Sequence, residues 1–168
     1  MPAWGYDREK PLHDPHPARR CHRGDRCAAR PAGAAARPLA DVELGDLCRH
    51  LANTFSGRTR VLVTFTQEGP VSVPPPVKEA FYRVAQEALN NIAKHAASSQ
   101  VTIRLQGHAG SSEMLIRDDG IGFAPTDLTA ESLGLQIRRE RAAAVGAQLT
   151  VDSAPGAGTT VRLSWLET

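Results

Sequence analysis

Residues 86–96 read QEALNNIAKHA. A helix through this stretch turns Leu89 and Ile92 toward a core. It also sets Glu87, Asn91, Lys94 and His95, at i, i+4, i+7 and i+8, close to one face. Four polar groups on the flank of a core-packing helix look like one wall of a site rather than a solvated surface. The stretch therefore fixes both the long helix of the domain and the side on which to look for a ligand.

Working outward, Val84 and Ala80 extend the apolar stripe, and Pro74, Pro75 and Pro76 end any preceding strand and deliver the chain to a helix starting near Val77. The spacing predicts one helix over about 77–97. Upstream, Leu44, Leu47, Cys48, Leu51 and Phe55 recur at helical spacing, with Gly57 as a stop. Val61, Val63 and Phe65 alternate with Leu62, Thr64 and Thr66 as a strand with one mostly polar face. Downstream, VTIRL (101–105) and EMLIRD (113–118) read as a hairpin. A glycine-led connection runs from Gly120 to about Ser132, and Leu133, Leu135, Ile137, Ala142 and Val145 mark another helix closed near Gly146. QLTVDS and TTVRLSW face each other across APGAG. After the first helix the order is β-α-β-β-α-β-β, which fits an α+β two-layer sandwich: a mixed, mostly antiparallel sheet with helices on one face.

The chain has 168 residues, enough for one domain with its own core. Residues 1–38 carry eight Lys or Arg against four Asp or Glu, leaving twelve against fourteen for the remainder, so the folding part is faintly acidic. That balance gives no nucleic-acid footprint. Residues 1–38 are dense in Arg, Pro, Ala and Gly without apolar periodicity, and are expected to be disordered. Their amino acids are those that GC-rich codons encode, which raises the expectation that the native start lies elsewhere; intact-mass measurement would check it. Cys21, Cys27 and Cys48 form neither a disulfide framework nor a zinc pattern, so reduced thiols in a cytoplasmic protein are expected. The sequence contains no membrane-spanning run.

Three clusters could carry chemistry. Glu87 and Asn91, one turn apart, can aim a carboxylate and an amide oxygen into one cleft and share a hard cation, with Lys94 and His95 as donors to phosphate oxygens. Taken alone, the pair reads better as ordinary helix surface. RDDGIGF (117–123) follows a strand ending in two carboxylates with Gly120 and Gly122, where backbone can approach a ligand closely; Asp-Gly is also a common turn dipeptide. In SLGLQIRRERA (132–142), Gly134 sits at the mouth of a helix whose first N–H groups could receive phosphate, or Ser132 is simply a helix cap.

In this order, QEALNNIAKHA, RDDGIGF and LGLQIRRERAAAVGAQLTVDSAPGAGTTVRL resemble the asparagine box, the two glycine boxes and the closing hairpin of the GHKL ATPase superfamily, which has the Bergerat ATP-binding fold. Within it the chain is similar to the catalytic domain of histidine kinases of the nitrate-sensor and degradation-sensor group. The resemblance runs from about Arg37 to Leu166, with 39–57 resembling the tail of a linker helix and 58–168 the ATP-binding domain. It implies ATP and Mg²⁺ as cofactors, with Asn91 as the metal ligand and Glu87 polarising a nucleophile or supporting the metal. Lys94 and His95 would contact phosphates, and Asp118 would accept the adenine amino hydrogen. Gly120 and Gly122 would shape the base pocket, while Gly134 and Leu135 would line the phosphate side under a lid of about 124–133. Thr159 would lie near the base, and Ile92 and Ile121 would wall the purine.

The resemblance further implies phosphoryl transfer from ATP to a histidine on a separate dimerisation helix, and from there to a response regulator. The single His-Asp pair here, His13 and Asp14, is flanked by Pro15 and Pro17 and has Ala18 where the family has Gln or Asn. The acceptor is therefore expected in trans. Glu131 and Ser132 stand where the lid box usually has glycine or histidine. Two alternatives remain at this point: a nucleotide-binding relic without transferase activity, and an anti-sigma-factor-type serine kinase.

Overall fold

The computed structural model describes residues 41–124 and 131–167. The segment 1–38, with His13, and the lid positions 125–130 lie outside the described residues. Helix α1 (Leu44–Arg58) leads to strand β1 (Leu62–Glu68) and helix α2 (Pro75–Asn91), which continues as a π-helical turn (Ile92–Ala96). Strands β2 (Gln100–His108) and β3 (Ser111–Asp118) follow, then helix α3 (Glu131–Ala143) and strands β4 (Ala147–Ser153) and β5 (Thr159–Leu166).

The five strands form one sheet in the order β1-β2-β3-β5-β4. β1 runs parallel to β2, and the other three pairings are antiparallel. The connections fit this mixed pairing: short turns join β2 to β3 and β4 to β5 as antiparallel neighbours, whereas the parallel β1–β2 pair needs the long crossover that α2 supplies. The expected α+β architecture is the observed one.

Alternation decides which face is covered. In β2, Val101, Ile103 and Leu105 are fully buried while Arg104 between them is exposed. Met114 and Ile116 continue the row on β3, and Leu163 and Leu149 on β5 and β4. The helices cover this face. Pro75 and Pro76 open α2 in its first turn, where a missing N–H costs nothing. Its inward side is Val77, Phe81, Val84, Ala85, Ala88 and Leu89. Phe81, with no exposed surface, is the centre of that side, and the predicted Ala80 lies only half-buried beside it. Helix α1 places Leu44, Cys48, Ala52 and Phe55 in the same core, so it is packed as a layer of the domain. On α3, Ala142 is buried, but the predicted Ile137 is 40% exposed: the helix lies over the sheet edge and needs only a narrow apolar stripe. Among the described residues no helix is long and apolar enough to cross a membrane.

The long helix departs from its predicted end. Its α-helical part stops at Asn91, the next five residues form the π turn, and Ala97 closes it in the left-handed region at φ 48° and ψ 34°.

Candidate functional site

The end of α2, the end of β3, the body of α3 and the start of β5 enclose a cavity of about 350 Å³. That is within the roughly 300–1,000 Å³ usual for small-molecule sites. Asn91 and His95 line one side of it, Asp118 and Thr159 lie deeper, and Leu135 and Arg138 come from α3.

Asp118 holds the last place in the buried register of β3, after Met114 and Ile116, opposite Val101 of β2. It is 3% exposed, a carboxylate where the alternation calls for an apolar side chain. Burial pushes its pKa above the ordinary 3.8, and backbone N–H groups of Gly120 and Thr159 pull it part of the way back. The Gly120 N–H donates to Asp118 Oδ1 at 2.8 Å. Its neighbour has a different task. Asp119 accepts from the Ser99 hydroxyl at 2.6 Å and from the Ser99 and Gln100 N–H groups, both at 2.9 Å. These bonds hold its pKa below the usual value. Of the paired carboxylates, one faces the cavity and the other ties the start of β2 to the end of β3.

The glycines bring backbone against backbone. A Cβ on Gly120 would stand 2.2 Å from the Ala96 carbonyl oxygen, and one on Gly158 would stand 2.1 Å from that of Asp118. Gly122, at φ +60°, is equally confined by the Ala154 carbonyl. The loop after β3 is thus clamped between the π turn and the β4–β5 hairpin. Ser153 completes the clamp. Its hydroxyl donates to the Gly158 carbonyl at 2.9 Å and accepts from the Phe123 N–H at 3.0 Å. The Thr159 hydroxyl, 3.0 Å away, therefore donates to Ser153, and among the described residues no side chain donates to it in return.

The π turn sorts Lys94 from His95. Its i→i+5 bonding lowers the rotation per residue, which keeps His95 beneath Asn91 on the cavity wall and carries Lys94 away from it. Lys94 is exposed and contributes nothing to the lining. Glu87 does not line the cavity either; it stands one turn behind Asn91. With the Asn91 amide turned so that its nitrogen meets Glu87 Oε1 and its oxygen meets Arg138 Nη1, both contacts are 3.2 Å. Arg138 Nη2 also lies 3.5 Å from Glu87 Oε1. Gly120 packs against Ala96 and does not line the cavity, and Gly134 lies in the first turn of α3. Ile121, 59% exposed, stands at the rim, and Ile92, Phe123, Val151 and Val161 supply apolar walls.

Sequence reasoning missed Arg138, Phe123 and Ser153. Arg138 was hidden in the run RRER, where nothing local separates one arginine from the next. Ser153 looked like the end of a strand.

An apolar slot with a buried acceptor at its floor and oxygen donors at its mouth suits a flat heterocycle carrying a charged tail, and comparison with known proteins bears on that class. Residues 77–168 match the family described as histidine kinase-, DNA gyrase B-, and HSP90-like ATPase, and the chain belongs to it. The signal transduction histidine-protein kinase/phosphatase DegS of Brevibacillus brevis is 32% identical over 127 residues, which is 75% of this chain and 33% of that protein. The sensor protein VraS of Staphylococcus saprophyticus is 31% identical over 125 residues, 74% of this chain and 36% of that protein. The chain thus spans about a third of the length of these curated relatives. Among solved structures, the histidine kinase domain from the Erythrobacter litoralis EL346 blue-light activated histidine kinase superposes with a TM-score of 0.60 at 27% identity. That likeness covers 80% of this chain and 66% of the other.

Proposed function

We propose that this chain is the ATP-binding catalytic domain of a two-component sensor histidine kinase, acting on the cytoplasmic side with a histidine supplied by another domain or chain. The observation that supports it best is the convergence of Asn91, Asp118, Thr159 and α3 on one cavity with an acceptor-lined floor. The adenine amino group would donate to the free lone pairs of Asp118. Ile92 and Ile121 would cover the faces of the ring, and the triphosphate would run toward His95 and the first turn of α3, whose N–H groups have no intrahelical partner.

The residues present fit a magnesium ion. Mg²⁺ keeps several waters and takes one or two carboxylate or amide oxygens from protein plus oxygens from phosphate. Glu87 and Asn91 offer that set, and among the described residues no group of three His, Cys, Asp or Glu forms a protein-only cage. Bound there, the ion would neutralise phosphate charge. The protein's own part is to hold the γ-phosphate in line while an imidazole nitrogen of the acceptor bonds to phosphorus, the bridging P–O bond breaks and ADP leaves. Glu87 would orient the incoming imidazole or support the metal. A response regulator would then take the phosphoryl group from the histidine.

Incubation with radiolabelled ATP and a purified dimerisation domain bearing the acceptor histidine tests this. Acid-labile, base-stable label on that domain is expected, and no label on the chain alone. Acid-stable phosphoserine on an added antagonist protein would point instead to a serine kinase, and nucleotide binding with no transfer to any partner would point to a relic.

A further inference from the structure

The geometry points to Arg138 as a resident counter-cation at the proposed metal position: its guanidinium occupies the two oxygen donors that a divalent ion would need, and the ion enters by displacing it. The inference rests on the assignment of Glu87 and Asn91 to that ion.

Two different guanidinium nitrogens are engaged. Nη1 faces the Asn91 amide oxygen at 3.2 Å, and Nη2 lies 3.5 Å from Glu87 Oε1. Glu87 in turn accepts from the Asn91 amide nitrogen at 3.2 Å, so carboxylate, amide and guanidinium close a triangle between α2 and α3. A guanidinium is charged at every accessible pH and has no acceptor, so its role toward these oxygens is that of a cation. Its rigid fork spans donors one helical turn apart, which a lysine ammonium, a single point charge, cannot do.

The Asn91 oxygen cannot face Arg138 and a divalent ion at once, since two cations crowded onto one amide oxygen repel each other. Arg138 and the ion are therefore mutually exclusive there. The side chains of Arg138 and Glu87 are 29% and 43% exposed, and a pair this open to water is weak. It holds the donors together yet yields to a doubly charged ion. Arg138 also lines the cavity, so once displaced it would be free to meet the phosphate oxygens of a nucleotide bound there. Two consequences follow. Metal entry unties α3 from α2 at this point, and by reciprocity anything that draws Arg138 away, a polyphosphate above all, strengthens metal binding.

The test is Mn²⁺ titration by electron paramagnetic resonance, first on the protein without nucleotide. Arg138→Gln is expected to bind Mn²⁺ about fivefold more tightly than the parent, the size of effect that an exposed ion pair supports. Arg138→Lys should fall between the two, and in a Glu87→Gln background the gain should shrink, because only the contact at the Asn91 oxygen is left to relieve. Arg138 is partly exposed, and melting curves of all variants check that each folds. Mn²⁺ binding that is unchanged or weaker in folded Arg138→Gln overturns the inference. A second titration with ADP present separates this from failure of the metal assignment. If Asn91→Ala and Glu87→Gln both leave Mn²⁺-ADP binding at the parent level, the assignment falls and the inference with it.

Discussion

Asp118 shows how a single position can be read as a site from strand alternation alone. The apolar row Met114, Ile116 is broken at its third place by a carboxylate, and only a partner or a ligand makes that tolerable. Replacing Asp118 by Asn keeps the shape but removes a charged acceptor, a loss of about 1.5–3 kcal/mol, or roughly tenfold to a hundredfold in affinity. Calorimetry with ADP should show that weakening, while retention of full affinity would remove Asp118 from base recognition. Its raised pKa adds a pH signature. A proton on Asp118 turns the acceptor into a donor, so ADP affinity should fall on acidification, beginning above pH 3.8, the ordinary value for the group. In the Asp118→Asn variant that fall should be absent. Gly120 gives a second residue-level expectation. Its Cβ would press on the Ala96 carbonyl, so Gly120→Ala should cost about 1–3 kcal/mol in chemical denaturation, as overpacking commonly does. These positions were legible because local pattern betrays them. Arg138 was not, since its partners Glu87 and Asn91 lie on another helix and no periodicity links the two.

At the scale of the element, the helix through QEALNNIAKHA was readable in place and facing, but not in kind. Hydrophobic spacing does not distinguish five residues of π turn from α-helix when Ile92 and Ala96 are buried in both. The distinction matters for the chemistry, because it sends Lys94 outward and leaves His95 on the wall. The turn ends on Ala97, held in the left-handed region where a Cβ costs about 1–2 kcal/mol. Ala97→Gly relieves that strain but loosens the unfolded chain by about 0.4–1 kcal/mol. The net expectation is a gain of roughly 0.5 kcal/mol in denaturant melts. A clear loss of stability would mean that the alanine methyl packs usefully despite its backbone. The strand pairs were legible from alternation and from turns such as APGAG. The exposure of Ile137 was not, because its spacing is right and only the position of α3 over the sheet edge leaves it uncovered.

At the scale of the molecule, the sequence carried the layer arrangement but left open which strands pair in parallel and how far the core reaches. α1, expected as a linker, drives Cys48 into the centre. Burial there pushes the thiol up to about 12 from an ordinary 9.0. With Cys21 and Cys27 replaced by serine, the native protein should therefore not react with a thiol reagent at pH 8 until it is unfolded. The sign for stability follows: the contribution is whole below pH 9 and is lost as pH rises through 9 toward 12. Rapid labelling of the folded chain would place Cys48 outside the core.

The parallel edge has a bearing on how the chain finds its shape. β2 and β3, like β4 and β5, close as hairpins, whereas β5 reaches β3 only past α3 and β4, and β1 reaches β2 only through the α2 crossover, each a large loop closure. The same crossover carries Glu87 and Asn91 at its far end. The long closures are then also the ones that seat α2 and α3 beside the cavity, so a newly synthesised chain would gain its grip on nucleotide late in becoming native.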